Sequence, residues 1–78
     1  MRVQVKLFAR FREVLPPQAR GQATIDLPDG ATVGHLLDQL GIVQPVRLVS
    51  INHQPETDRG RLLRDGDQVS VFPFVSGG

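Results

Sequence analysis

The stretch "TVGHLLDQLG" at 32–41 is the longest in the chain with apolar residues at helical spacing. Val33, Leu36, Leu37 and Leu40 fall at i, i+3, i+4 and i+7, which makes one apolar stripe. Thr32 stands at the N-cap, and Gly41 stands where a helix commonly ends on a left-handed residue. Other apolar residues mostly alternate with polar ones. In "RVQVKLF" at 2–8, Val3, Val5 and Leu7 face one way and Arg2, Gln4 and Lys6 the other. "ATIDL" at 23–27 puts Ala23, Ile25 and Leu27 on one side. "VRLVSI" at 46–51 offers Val49 and Ile51 to a core, and "QVSVFPF" from 68 offers Val69 and Val71. One helical stripe covers one face of such a sheet and leaves the other bare. The sequence therefore predicts an α+β domain: a mixed sheet of four to five strands with one main helix packed on one face.

The connections are marked by breakers. Phe8, Phe11 and Leu15 recur at helical spacing, so 9–15 reads as a short helix stopped by Pro16-Pro17. The strands on either side of it could then pair antiparallel. Pro28-Asp29-Gly30 and Asp65-Gly66-Asp67 are turns. Asn52-His53-Gln54-Pro55 reads as a turn out of the third strand, and 56–64 as mostly irregular. Pro73 lacks a ladder donor, so regular pairing is expected to stop near it.

A chain of 78 residues fits one domain, 1–78, with a flexible tail at 73–78. There is no cysteine, which removes disulfides, thiolate metal sites and cysteine nucleophiles together. Eight arginines and one lysine are spread along the chain with no basic run, and the net charge is +1. Nucleic acid is not expected as a partner. No apolar stretch reaches spanning length, so no membrane is expected and a cytoplasmic location is the simplest outcome.

Side-chain chemistry is sparse. His35 and His53 have no second ligand at metal spacing. Asp65-Gly66-Asp67 lacks the further oxygens of a calcium loop. No phosphate-binding glycine motif occurs, and Ser50, Ser70 and Ser76 fit no nucleophile motif. Phe72 and Phe74 are different. If Val69 and Val71 point inward, Phe72 points to the opposite face, and Phe74 lies beyond Pro73. Exposed aromatic side chains there would suit docking.

"LFARFRE" at 7–13, "LxDGDxVxxFP" from Leu63 to Pro73 and the terminal "VSGG" resemble the MoaD/ThiS family of sulfur carriers, most closely its molybdopterin-synthase branch. The likeness runs the length of the chain. It implies a β-grasp, ubiquitin-like fold. It also implies that the Gly78 carboxylate is adenylated by an E1-like activating enzyme using ATP, then converted to a thiocarboxylate with sulfur from a donor protein. The sulfur would pass to a pterin precursor in the large subunit of molybdopterin synthase, with no cofactor or metal bound to the carrier. Phe72, Pro73, Phe74, Val75, Ser76 and Gly77 would bind the partner. Gly77 and Gly78 have no side chain to obstruct a narrow channel. The same chemistry could serve thiazole, tRNA, amino-acid or tungsten-cofactor pathways, or Gly78 could be conjugated to lysines as a ubiquitin-like modifier. The chain departs from the family's habit at Phe74, where proline or a small residue is common, and at "SINHQ", which replaces a V-N-G-type turn.

Overall fold

The helix forms where its stripe and caps agree. In the computed structural model, which describes residues 1–74, α1 spans Val33–Leu40. Thr32 Oγ1 accepts from the His35 N–H at 3.2 Å, and His35 Nδ1 accepts from the Thr32 N–H at 3.0 Å, a reciprocal capping box. His35 thus has a structural task. At the other end Gly41 takes φ 75° and donates its N–H to Asp38 O, as the sequence predicts.

Five strands follow from the alternating segments: β1 (Arg2–Leu7), β2 (Gln22–Asp26), β3 (Val46–Ile51), β4 (Gln54–Glu56) and β5 (Gln68–Pro73). Their order in the sheet is β2-β1-β5-β3-β4. β1 and β5 are parallel, and every other pairing is antiparallel. Leu7 lies opposite Val71, and Val71 opposite Val49, so inward positions line up across three strands. Val3, Val5, Leu7, Val49, Ile51, Val69 and Val71 are buried beneath Val33, Leu36 and Leu37 of α1. This is the β-grasp arrangement: a mixed five-stranded sheet with one main helix on one face. Regular pairing ends at Pro73, which lies opposite Val46.

Two segments differ from expectation. The predicted 9–15 helix is a 3-10 segment, Ala9–Val14, and only Phe11 of it is buried. Phe8 stays extended (φ −119°, ψ 153°), and Ala9 at φ 51° then turns the chain. That turn breaks the periodicity that grouped Phe8 with Phe11. The second difference is β4. The turn after β3 is only Asn52-His53, at φ 52° and 70°, a two-residue type I′ hairpin. Gln54–Glu56 then pairs back on β3, with Pro55 opposite Ser50. Proline is tolerated there because β4 is an edge strand.

The ends of the connections are tied by polar groups. Asp67 is 6% exposed. Its carboxylate accepts from the Arg64 N–H at 2.8 Å and from the Asn52 amide at 3.0 Å, while Asn52 Oδ1 accepts from the Gln68 N–H. Asp65 accepts from the Arg2 N–H at 2.7 Å. The Asp65-Gly66-Asp67 oxygens therefore serve the turn, as read from sequence. Gly21 is a second fixed point. It has φ 75°, and a Cβ there would meet Leu7 O at 2.7 Å. Its own carbonyl accepts from the Leu7 N–H, so this close approach admits glycine alone. Arg2 and Asp26 pair at 2.8 Å across β1 and β2, and this guanidinium holds the Asp26 carboxyl below its usual range. Both side chains are exposed, so the pair contributes little to stability.

Leu36 is fully buried, and Leu36→Ala is expected to cost about 2–5 kcal/mol in urea denaturation. A loss below about 0.5 kcal/mol would reject this core. His53 occupies the turn position that favours glycine, so His53→Gly is expected to stabilise the domain by about 1 kcal/mol in the same measurement.

Candidate functional site

The parity of β1 and β5 builds the face opposite α1. Because Val3, Val5 and Leu7 turn inward, the outer series on β1 is Arg2, Gln4 and Lys6, and extended Phe8 continues it. On β5 Val69, Val71 and Pro73 are buried, so Gln68, Ser70 and Phe72 face outward. The parallel register then sets Phe8 beside Phe72. Their rings stack with centroids 4.2 Å apart and planes 12° from parallel. Lys6 Nζ sits 5.3 Å from the Phe8 centroid, within cation–π range. Leu48 of β3 lies opposite Phe72 and extends the apolar patch. Beside it a shallow groove runs along Ser70, Ser50, His53 and Pro55.

The expected site residues fall into three groups. Phe72 is half-buried on this outer face, stacked as described. Pro73 turns inward and is buried, at the end of β5. Phe74 is 53% exposed just beyond it, and its carbonyl accepts from Arg10 Nη2 at 3.1 Å. Val75, Ser76, Gly77 and Gly78 lie outside the described residues. The structure thus joins Phe72 and Phe74 at one corner of the sheet and adds three residues the sequence reading did not assign there. Phe8 stands at helical spacing from Phe11 in the sequence, yet its even position continues the outer series of β1. Leu48 followed the same parity on β3. Arg10 gave no sign in sequence, because its partner is a backbone carbonyl 64 residues away.

Among the described residues no three His, Cys, Asp or Glu side chains come together as metal ligands. No helix among them is long and apolar enough to cross a membrane. What the corner offers is surface: a stacked aromatic pair, an aliphatic neighbour and an exposed phenylalanine at the root of the last residues.

The mixed five-stranded sheet with one main helix on one face gives the protein the ubiquitin-like β-grasp fold. The profile of the ThiS family matches residues 5–78, and the chain belongs to that family. No curated protein sequence matches it. Among solved structures it is similar to a Pyrococcus furiosus protein assigned as molybdopterin converting factor subunit 1. The identity is 28% over 96% of this chain and 99% of the other, with a TM-score of 0.77. SAMP1 of Haloferax volcanii is likewise 28% identical, with both chains fully covered and a TM-score of 0.76. In the complex of subunits 1 and 2 of molybdopterin-converting factor from Helicobacter pylori, a chain matches at 22% identity, full coverage of both chains and TM-score 0.65. That likeness supports the fold alone.

Exposure separates the phenylalanines energetically. Phe74→Ala is expected to change stability by less than about 0.5 kcal/mol. Phe11→Ala, at a residue 1% exposed, is expected to cost about 3–5 kcal/mol, and chemical denaturation of both variants checks the contrast.

Proposed function

We propose that the protein is a sulfur carrier for molybdenum-cofactor biosynthesis. The observation that carries this reading is the ThiS-family match, which runs through Gly78. The similarity to a molybdopterin converting factor subunit from Pyrococcus furiosus supports the pathway. In this reading Gly78 supplies the chemistry and the sheet corner supplies the binding energy.

The carboxylate of Gly78 attacks the α-phosphorus of ATP on an activating enzyme, and pyrophosphate leaves. The resulting acyl-adenylate is an activated carbonyl. A sulfide-level sulfur delivered by a donor protein attacks it, AMP departs, and a C-terminal thiocarboxylate remains. That sulfur then attacks a carbon of a pterin precursor in the synthase large subunit and displaces an oxygen leaving group. Water cleaves the resulting thioester, which leaves the sulfur on the pterin and returns the Gly78 carboxylate. Phe72 and Phe74 dock, and residues 75–78 carry the reacting group. Four extended residues reach at most about 13–14 Å, so the partner's reaction centre lies within that distance of the Phe74 socket. Gly77 and Gly78 add no side chain to the bore that such a reach requires.

The chain incubated with its activating enzyme, ATP and a sulfur donor is expected to gain about 16 Da at the C-terminus, one oxygen replaced by sulfur. An unchanged intact mass with active enzyme would reject the reading. The full-length likeness to SAMP1, whose kind is named a small archaeal modifier protein, favours one second reading: conjugation of Gly78 to lysine amines. Higher-mass adducts that vanish on deletion of Gly78 would show it.

A further inference from the structure

Two turns of this fold are built alike. Pro28-Asp29-Gly30-Ala31 leads from β2 toward α1, and the Ala31 N–H closes it on Pro28 O at 3.1 Å. Arg64-Asp65-Gly66-Asp67 leads into β5, and the Asp67 N–H closes it on Arg64 O at 3.0 Å. In each the third residue is a glycine with positive φ, 88° at Gly30 and 87° at Gly66. An aspartate precedes each glycine, and both pairs are exposed. These are the only Asp-Gly pairs in the chain. Such a pair is open to cyclisation, because glycine has no Cβ to shield its nitrogen from the neighbouring carboxyl.

Hydrogen bonding separates the two turns. Asp65 Oδ1 accepts from the Arg2 N–H at 2.7 Å, and the Gly66 N–H donates to Arg2 O at 2.8 Å. One residue of β1 thus clasps both groups that would have to meet, the carboxyl and the nitrogen. Asp29 is held differently. Its side chain is 98% exposed, and the N-terminal ammonium stands 3.8 Å from Oδ1, beyond hydrogen-bond reach. Among the described residues the Gly30 N–H has no acceptor, and a Cβ built on Gly30 would meet nothing within 4 Å. The one asparagine, Asn52, could cyclise by the same chemistry, but its side chain is tied at both atoms. Its amide donates to Asp67 Oδ1, and its Oδ1 accepts from the Gln68 N–H.

We infer that Asp29-Gly30 is a site of spontaneous isoaspartate formation in the folded protein, while the Arg2 backbone protects Asp65-Gly66. In the first step Gly30 N attacks Asp29 Cγ. A C–N bond forms and a Cγ–O bond breaks. The nitrogen's hydrogen, one carboxyl oxygen and a proton from solvent leave as water, and a succinimide remains. Water then opens the ring at either carbonyl. One opening restores aspartate, and the other routes the main chain through Cβ. The turn then holds one more backbone atom between buried Leu27 and buried Ala31, just before the N-cap Thr32. The chemistry needs only water, so the inference stands apart from the carrier reading.

The test ages the full chain for several weeks at physiological temperature and neutral pH, once in buffer and once unfolded in guanidinium chloride. Electron-transfer fragmentation of its peptides then locates isoaspartate residue by residue. In the folded chain it is expected to accumulate at residue 29 at least about tenfold faster than at residue 65, where reaction must wait for local opening. In the unfolded chain the clasp is gone, and the two sites are expected to agree within about threefold. Asp29→Glu keeps the charge, but its larger ring closes far more slowly. Isoaspartate in the folded variant is expected to fall to the level set by residue 65, with circular dichroism confirming the fold. Equal rates at 29 and 65 in the folded chain would overturn the inference. So would a folded chain unaltered at 29 while the unfolded one reacts there. A preference for 29 that keeps its size in guanidinium chloride would trace it to the neighbours Pro28 and Arg64 and overturn the protection by Arg2.

Discussion

The parallel pairing of β1 with β5 is the contact on which the rest of the molecule depends. It joins residues more than sixty positions apart and places both strands in the middle of the sheet. Once Leu7 lies opposite Val71, the parity of both strands is fixed. Val3, Val5 and Leu7 of β1 and Val69 and Val71 of β5 then share one core with α1, and the outward series ends with Phe8 against Phe72. A one-residue slip would send the valines to solvent and the aromatic rings to the core. Core and candidate site are therefore two faces of one register. They cannot be specified separately.

The unequal covering of the sheet follows from having one long amphipathic helix. α1 buries the inner face, while the outer face has only its own side chains for cover. The stacked rings reduce the exposure of that face without hiding it. Pro73 sits between the two functions: buried on the inner side, it anchors the point from which Phe74 emerges. Arg10 then holds the Phe74 carbonyl from the neighbouring 3-10 segment. Direction at the chain's exit thus comes from one buried ring and one exposed guanidinium.

Much of this architecture was legible in the sequence because parity and period are local signals. Val3, Val5 and Leu7, Val69 and Val71, and the 33–40 stripe each specify a face without reference to distant residues. The outward placement of Phe72 followed from the same rule. β4 was not legible, because its three residues include Pro55 and its turn uses Asn52-His53 in place of the usual glycine pair. Phe8 was misplaced because 8, 11 and 15 mimic a helical stripe, and nothing local reports that Ala9 adopts a left-handed conformation. The roles of residues 75–78 rest on family likeness, since they lie outside the described residues.

The central place of β5 also bears on how the protein is made. The sheet has a gap between β1 and β3 until Gln68–Pro73 has been synthesised and has left the ribosome. Before that, β1–β2 and β3–β4 are two hairpins that share no strand edge. Contacts of such long sequence separation close late and raise the entropy cost of folding. A nascent chain that stops short of β5 lacks the strand that unites the two halves and remains open to proteolysis. Folding itself thus acts as a check that translation has reached the segment bearing the aromatic corner.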